Sequence, residues 1–504
     1  MNDYIGYQWL ANHYSIHPVQ KFRITSRIES RRSTVHDNGY TIESYPASSR
    51  PEDSLRGHLL FALKNEGVHL EFLSRLFASL PKAELEAWIK EEPTGQYARR
   101  ACFFYEWLTG NALKIDSLPN VRYVDAIDPD HCFTAENAVN NSRFRIRNNL
   151  PGTRDFCPLI FRTDKVIQAE NYDFEKTIQK LEEEFGSDLL MRSSVWLTIK
   201  ESRASFAIEH EEDQNDRIKR FAHVMEHSCG IQEYPLKEDS LKKLQSDILG
   251  SNAMRLGIRQ SPVFVGEMGH FGDIVHYIAP NAKDIQGMIE GLQFFQNATV
   301  GKSPLVRAAV LSFGFVYIHP MSDGNGRISR FLINDTLRRD KAIFAPLILP
   351  ISATITHTPA SRRHYDQILE IFSKPFMHSY QSKYHFTNEQ IAPDGVRYNL
   401  IFDAYEDACH AWRYLDLTEH VVYLAEIVDI TIAEEMRKEA SYLRHLRQMR
   451  SQIKEIIDGP DGDIDRLIRS IRETGTISNK LQKEFPILAT EEIAKKLISI
   501  VLKS

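Results

Sequence analysis

Apolar residues along most of the chain recur at three- and four-residue steps, the period of a helix that buries one face. From Leu55 to Leu108 the pattern runs through Leu59, Leu60 and Leu63, then Leu70, Phe72, Leu73, Leu76 and Phe77, then Phe103, Phe104, Trp107 and Leu108, which predicts an amphipathic helical region. Residues up to about Arg50 show weak periodicity and end in the turn-rich PASSRPEDS. Asn111 to Asp164 is rich in Asp, Asn and Pro and reads mostly as connection, with helices resuming around Asp173. Val306 to Tyr317 is nearly uncharged and reads as a buried helix that stops at His319-Pro320, where proline forbids simple continuation. Ile258 to Val265 with the later VHYIAP reads as one β-prone hairpin. The last segment, from Ile464, reads as a helix, a turn at Gly475, a short helix from Ser478 to Phe485, and a helix from Thr490 with Ile493, Leu497 and Ile500 on one face, a pattern similar to a helix-turn-helix. The expected fold class is all-α with one small hairpin: a mostly helical N-terminal region over 1–189, a helical core over 190–385, and a helical C-terminal module over 386–504.

Composition narrows the function classes. A chain of 504 residues, 42% hydrophobic and 26% charged, can bury a large core in two or three domains. Its formal net charge of -6 gives no global pull toward nucleic acid or anionic lipid. On the last helix Lys495, Lys496 and Lys503 are partly offset by Glu491 and Glu492, which disfavours DNA as a partner. The five cysteines lie far apart without zinc spacing and read as reduced thiols. The first residues lack a basic stretch followed by an apolar core, and the most apolar later run, Phe344 to Ile355, is broken by Pro346 and Pro350. A cytoplasmic protein without a membrane span is expected.

Candidate chemistry is concentrated in residues 319–330, HPMSDGNGRISR. Gly324 and Gly326 let the backbone approach a ligand, and the helix that starts there offers free N–H groups and a positive dipole end to an anion. Arg327 and Arg330 are three apart, so both rise from one helix face beside this cradle, which suits a chain of phosphates. Asn325 adds an amide donor. Asp323 is the kind of lone carboxylate that holds Mg²⁺ next to phosphates. His319 titrates near neutrality and can take a proton from a hydroxyl. Singly, each feature has a plain structural reading as helix stop, tight turn or solvated face. Eight fixed positions in one window, at about one in twenty each, match by chance roughly once in 10¹⁰ positions.

The run resembles the signature of the Fic family, HPFx(D/E)GNGRxxR, with Met321 in place of the usual Phe. The resemblance implies a protein adenylyltransferase that uses ATP and Mg²⁺. His319 would deprotonate a Ser, Thr or Tyr hydroxyl of a target protein, and Asp323 would bind Mg²⁺. Gly324, Asn325, Gly326 and Arg327 would hold the α- and β-phosphates and Arg330 the γ-phosphate. The hairpin is similar to the family's flap, which pairs with the target backbone, and Tyr365 falls on a later helix near the nucleotide base. Upstream, Ser205 to His210 resembles the family's inhibitory motif, (S/T)xxxE(G/N), with His210 in place of Gly or Asn; Glu211, Glu212 and Asp213 continue an acidic stretch. By this resemblance an inhibitory helix lies near 196–215, and Glu209 pairs with Arg330 and displaces the γ-phosphate. Removal of AMP, another phosphate donor, a DNA-binding regulator with a nucleotide-sensing core, self-modification and a homodimer stay open.

Overall fold

The computed structural model describes every residue except 1, 2, 38, 212, 232–234, 251, 252, 254, 270, 271 and 504. Its centre is the segment with the least polar sequence. Pro304–Ile318 is a helix with proline in its first turn, and Leu305, Val306, Ala308, Val310, Leu311, Phe313, Phe315 and Ile318 bury its whole circumference. A helix apolar on all sides must be enclosed on all sides. Ala282–Ala298, Asn325–Arg339 and Thr418–Ile430 enclose it. Outside them the long helix Ser187–Ile208 packs on Ile351–Thr356 and Asn215–Ser228 and touches Asn325–Arg339.

Three main hydrophobic clusters divide the chain. The first gathers residues from Val19 to Ala440, the second runs from Tyr7 to Leu159 with Tyr414, and the third from Met449 to Val501. The boundary expected at 385/386 falls inside the first cluster. Leu400, Phe402, Trp412 and Leu424 belong to the same cluster as the central helix, and Thr418–Ile430 packs directly on it. The third cluster contains the helices Asp461–Thr474, Asn479–Glu484 and Glu491–Lys503, with Gly475 left-handed at the first turn.

The fold is mostly helical with small sheets. Some of those sheets lie where sequence periodicity was weak. Tyr4–Ile5, Ile24–Ile28, Tyr40–Tyr45 and Ser33–Asp37 form a four-stranded sheet in that order, its middle pair parallel. Ser33–Asp37 is exposed on both faces, which removes the in-out alternation that marks a half-buried strand. Helices resume at Asp164–Glu170, capped by Thr163, a little before the expected Asp173. The C-terminal region is not wholly helical: Tyr384–Ile391 and Arg397–Phe402 pair as a hairpin around Pro393-Asp394-Gly395. The expected flap is present but shifted, with strands Phe264–Gly269 and Gly272–Ile278; Ile258 instead forms a bridge with Met321. All five cysteines are free, four of them buried, and among the described residues no helix is long and apolar enough to cross a membrane.

Candidate active site

The central helix ends at His319, which takes the left-handed conformation (φ 49°) and donates its N–H to Phe315 O at 2.9 Å. The chain turns through Pro320 to Asp323 and re-enters helix at Gly324, also left-handed (φ 89°), as N-cap of Asn325–Arg339. Glycine meets that requirement at little cost. Asn325 locks the turn: its Oδ1 accepts from Met321 N at 2.9 Å and its Nδ2 donates to Met321 O at 2.7 Å. The Asn325 oxygen and one of its two amide donors are thereby engaged with the buried peptide groups of Met321. Met321 itself is fully buried and fills the position behind the loop.

Arg259, 1% exposed, ties this loop to the base of the flap. Its guanidinium donates to His319 O (2.7 Å), Ser261 O (2.7 Å) and Pro280 O (2.8 Å), and its backbone N–H to Pro320 O (2.9 Å). Gln245 braces the other side, donating to Asp323 O and accepting from Gly257 N, both at 2.8 Å. Neither residue was singled out from sequence. Arg259 lies 60 residues from His319, inside the stretch read as a β-prone hairpin, where nothing local marks it as a partner of the loop.

His319 Nδ1 lies 3.3 Å from the carbonyl of Val316. A carbonyl only accepts, so Nδ1 carries the hydrogen and Nε2 holds the free lone pair. Burial, reinforced by the Arg259 charge, pushes the imidazole pKa down to about 4. His319 is neutral at pH 7, in the form a general base requires.

Both arginines of the run are buried at the N-terminal turn of Asn325–Arg339 and held by carboxylates. Arg330 donates to Ser205 Oγ (2.7 Å), Ser205 O (3.1 Å) and Glu209 Oε1 (2.6 Å). Desolvation would raise the Glu209 carboxyl, but the Arg330 charge and hydrogen bond outweigh it and hold the carboxyl below its usual range. A Cβ on Gly326 would collide with the Glu209 carboxylate, so Gly326 leaves room for an anion over the first turn of the helix. Arg327 donates to Asp323 Oδ1 and Glu211 Oε2, each at 2.5 Å. Asp323 keeps half its side-chain surface exposed. Tyr365 is buried against Tyr423, near enough to Arg330 and Glu209 for their charges to act on its hydroxyl. Burial is the largest influence on that hydroxyl and raises its pKa. The structure thus gathers His319, Asp323, Gly324, Gly326, Arg327, Arg330, Ser205, Glu209 and Tyr365 at one place. On the far C-terminal helix Lys495 and Lys496 pair with Glu491 and Glu492 at 2.6 and 2.8 Å. The Lys503 side chain and Glu212 lie outside the described residues.

The same segment is similar to known proteins. Residues 235–337 match the Fic/DOC family. The chain is 23% identical over 258 residues to protein adenylyltransferase fic-1 of Caenorhabditis briggsae, covering 45% of this chain and 47% of that protein. It is 30% identical over 115 residues to protein adenylyltransferase fic-1 of Caenorhabditis elegans (22% and 21% covered) and 35% identical over 94 residues to protein adenylyltransferase Fic of Drosophila mojavensis (18% and 16% covered). The chain spans less than half the length of these curated relatives. Among solved structures, a Fic family protein from Desulfovibrio desulfuricans G20 aligns with a TM-score of 0.37 at 18% identity, covering 66% of this chain and 90% of that one. The matched segment contains the loop, the helix terminus after Gly324, the hairpin and His319, and over residues 235–337 this chain is similar to the Fic/DOC family.

Proposed function

We propose that this chain is a protein adenylyltransferase, which transfers AMP from ATP to a Ser, Thr or Tyr hydroxyl of a target protein and is held inhibited by Glu209. The observation that carries the reading is an anion site filled by the protein's own anions. Buried Arg327 and Arg330 flank a helix N-terminus, and the Glu209 carboxylate lies over Gly326 where a phosphate would otherwise sit.

The residues divide the chemistry as follows. Gly326 and the free N–H groups of the first turn receive the phosphate chain, Arg327 neutralises its inner part, and Arg330, once released by Glu209, takes the γ-phosphate. His319 Nε2 accepts the proton of the target hydroxyl as its oxygen attacks the α-phosphorus and pyrophosphate leaves. Phosphate charge beside His319 favours the imidazolium, which raises its pKa from the low value of the closed state toward neutrality as the substrate arrives. Asp323 is the carboxylate available to Mg²⁺, which would neutralise charge on the phosphates. The flap offers a strand edge with Val265 and Ile274 exposed, to which an extended target segment can add.

The reading is tested by incubating the Glu209→Gly protein with Mg²⁺ and, separately, ATP, GTP, UTP and CTP, alone and with a cell lysate, and reading intact and peptide masses. An AMP-sized gain on a hydroxyl residue with ATP is expected. No gain with any nucleotide would overturn it, and loss of AMP from a pre-modified target would reverse its direction.

A further inference from the structure

Glu209 is not the only carboxylate laid on these arginines. Helix Ser187–Ile208 has Glu209 as its C-cap, after which His210 takes a left-handed φ of 57°. His210 N–H donates to Ala207 O (3.1 Å) and Glu211 N–H to Phe206 O (2.9 Å), the paired closure of a Schellman turn. The turn reverses the chain so that Glu209 and Glu211 both reach Asn325–Arg339, whose Arg327 and Arg330 stand about one turn apart. Each carboxylate takes one arginine.

Glu211 Oε2 accepts from Arg327 Nη1 at 2.5 Å, while Arg217 faces the other Glu211 oxygen at 3.5 Å. The Arg327 side chain is 4% exposed, and its guanidinium lies over the Phe206 ring at 5.1 Å from the centroid. Its other terminal nitrogen is held by Asp323. Each terminal nitrogen of Arg327 therefore faces a carboxylate, and a phosphate that takes either of those positions displaces one.

Resting on the adenylyltransferase reading of this site, we infer that Glu211 is a second inhibitory carboxylate, competing with the α- and β-phosphates of a nucleotide for Arg327. Glu209 opposes the productive placement of the γ-phosphate on Arg330. Glu211 opposes binding of the part that ADP and ATP share. The two effects separate with ADP, which has no γ-phosphate, so its affinity reports the competition at Arg327.

The test is calorimetric titration of Mg²⁺ and ADP into the full chain as wild type, Glu211→Ala, Glu209→Gly and the double variant. Glu211→Ala is expected to bind ADP about fivefold more tightly, the scale of losing one partly exposed competing ion pair. The same factor is expected in the Glu209→Gly background. Glu211→Gln, which keeps the side-chain shape and removes the charge, gives the gain without disturbing the turn, and a thermal melt confirms that each variant is folded. Unchanged ADP affinity on removing Glu211 overturns the inference. So does a gain that vanishes once Glu209 is absent, because Glu211 would then act only by supporting Glu209. If Glu209→Gly transfers AMP while Glu211→Ala leaves ADP affinity unchanged, only the role of Glu211 falls. If no variant binds ADP or ATP, the nucleotide reading falls with it.

Discussion

Replacing His210 should alter inhibition although the residue is exposed and touches neither arginine. It stands at the residue after the C-cap of Ser187–Ile208 with φ 57°, a conformation glycine adopts freely and other L-residues only at a cost. That cost is about 1–2 kcal/mol, part of which glycine gives back through the greater freedom of its unfolded chain. The net gain for His210→Gly is about 1 kcal/mol in favour of the closed turn, roughly a fivefold shift of the closed-to-open ratio. Because the turn presents Glu209 and Glu211 together, AMP transfer by His210→Gly should fall about fivefold below wild type. His210→Val, β-branched in a left-handed position, should loosen the turn and raise transfer. The assay is the initial rate of AMP incorporation at fixed ATP, repeated in a Glu209→Gly/Glu211→Ala background, where the residue at 210 should no longer matter. Faster transfer by His210→Gly than by wild type would refute the assignment of the turn as the element that aims the brake.

Two further outcomes follow from the same geometry. Asn325→Ala leaves the N–H and carbonyl of Met321 buried without their partner, at about 2–4 kcal/mol for the pair, and should lower both the thermal midpoint and AMP transfer. His420, hydrogen-bonded to the Tyr317 hydroxyl at 2.7 Å and pushed by burial to about 3, stays neutral in the folded chain at pH values where the unfolded chain, titrating near about 6.5, takes up a proton. The unfolded state then binds more protons, so this group removes stability as pH falls below about 6.5, by at most about 1.4 kcal/mol per pH unit. Glu66 and Glu201, raised by burial to about 7, run the other way, so the readable quantity is the difference between proteins. His420→Gln should show a shallower loss of thermal midpoint than wild type from pH 6.5 to 4, and parallel curves would contradict the argument.

The sequence made the loop from His319 to Arg330 legible because every residue there answers a local demand: a helix stop, a left-handed glycine, donors on one face. Glu209 was legible for the same reason, as part of a short motif on one helix. What stayed hidden depends on contacts between distant segments. Arg259 earns its role only when folding brings three carbonyls around it, and nothing beside it in the chain marks that. Glu211 read as one more solvated acid until the reversal at His210 turned it onto Arg327. His210 looked like a departure from a Gly/Asn pattern, whereas the shared requirement is a left-handed residue rather than a residue type. The N-terminal sheet was missed because an exposed strand such as Ser33–Asp37 carries no alternation, while Pro393-Asp394-Gly395 between β-prone runs was a readable hairpin signal. The hydrophobic cluster that holds the central helix runs on past the boundary expected at 386, up to Ala440, through contacts between segments that no local pattern marks.

The measurement that bears most directly on the central claim is incorporation of α-phosphate label from ATP, with Mg²⁺, by wild type, Glu209→Gly, His319→Ala and Glu209→Gly/His319→Ala. Label that is weak in wild type, strong in Glu209→Gly and absent from both His319 variants is the expected result. Equal label in wild type and Glu209→Gly would contradict the brake, and label that survives in the double variant would contradict His319 as the base.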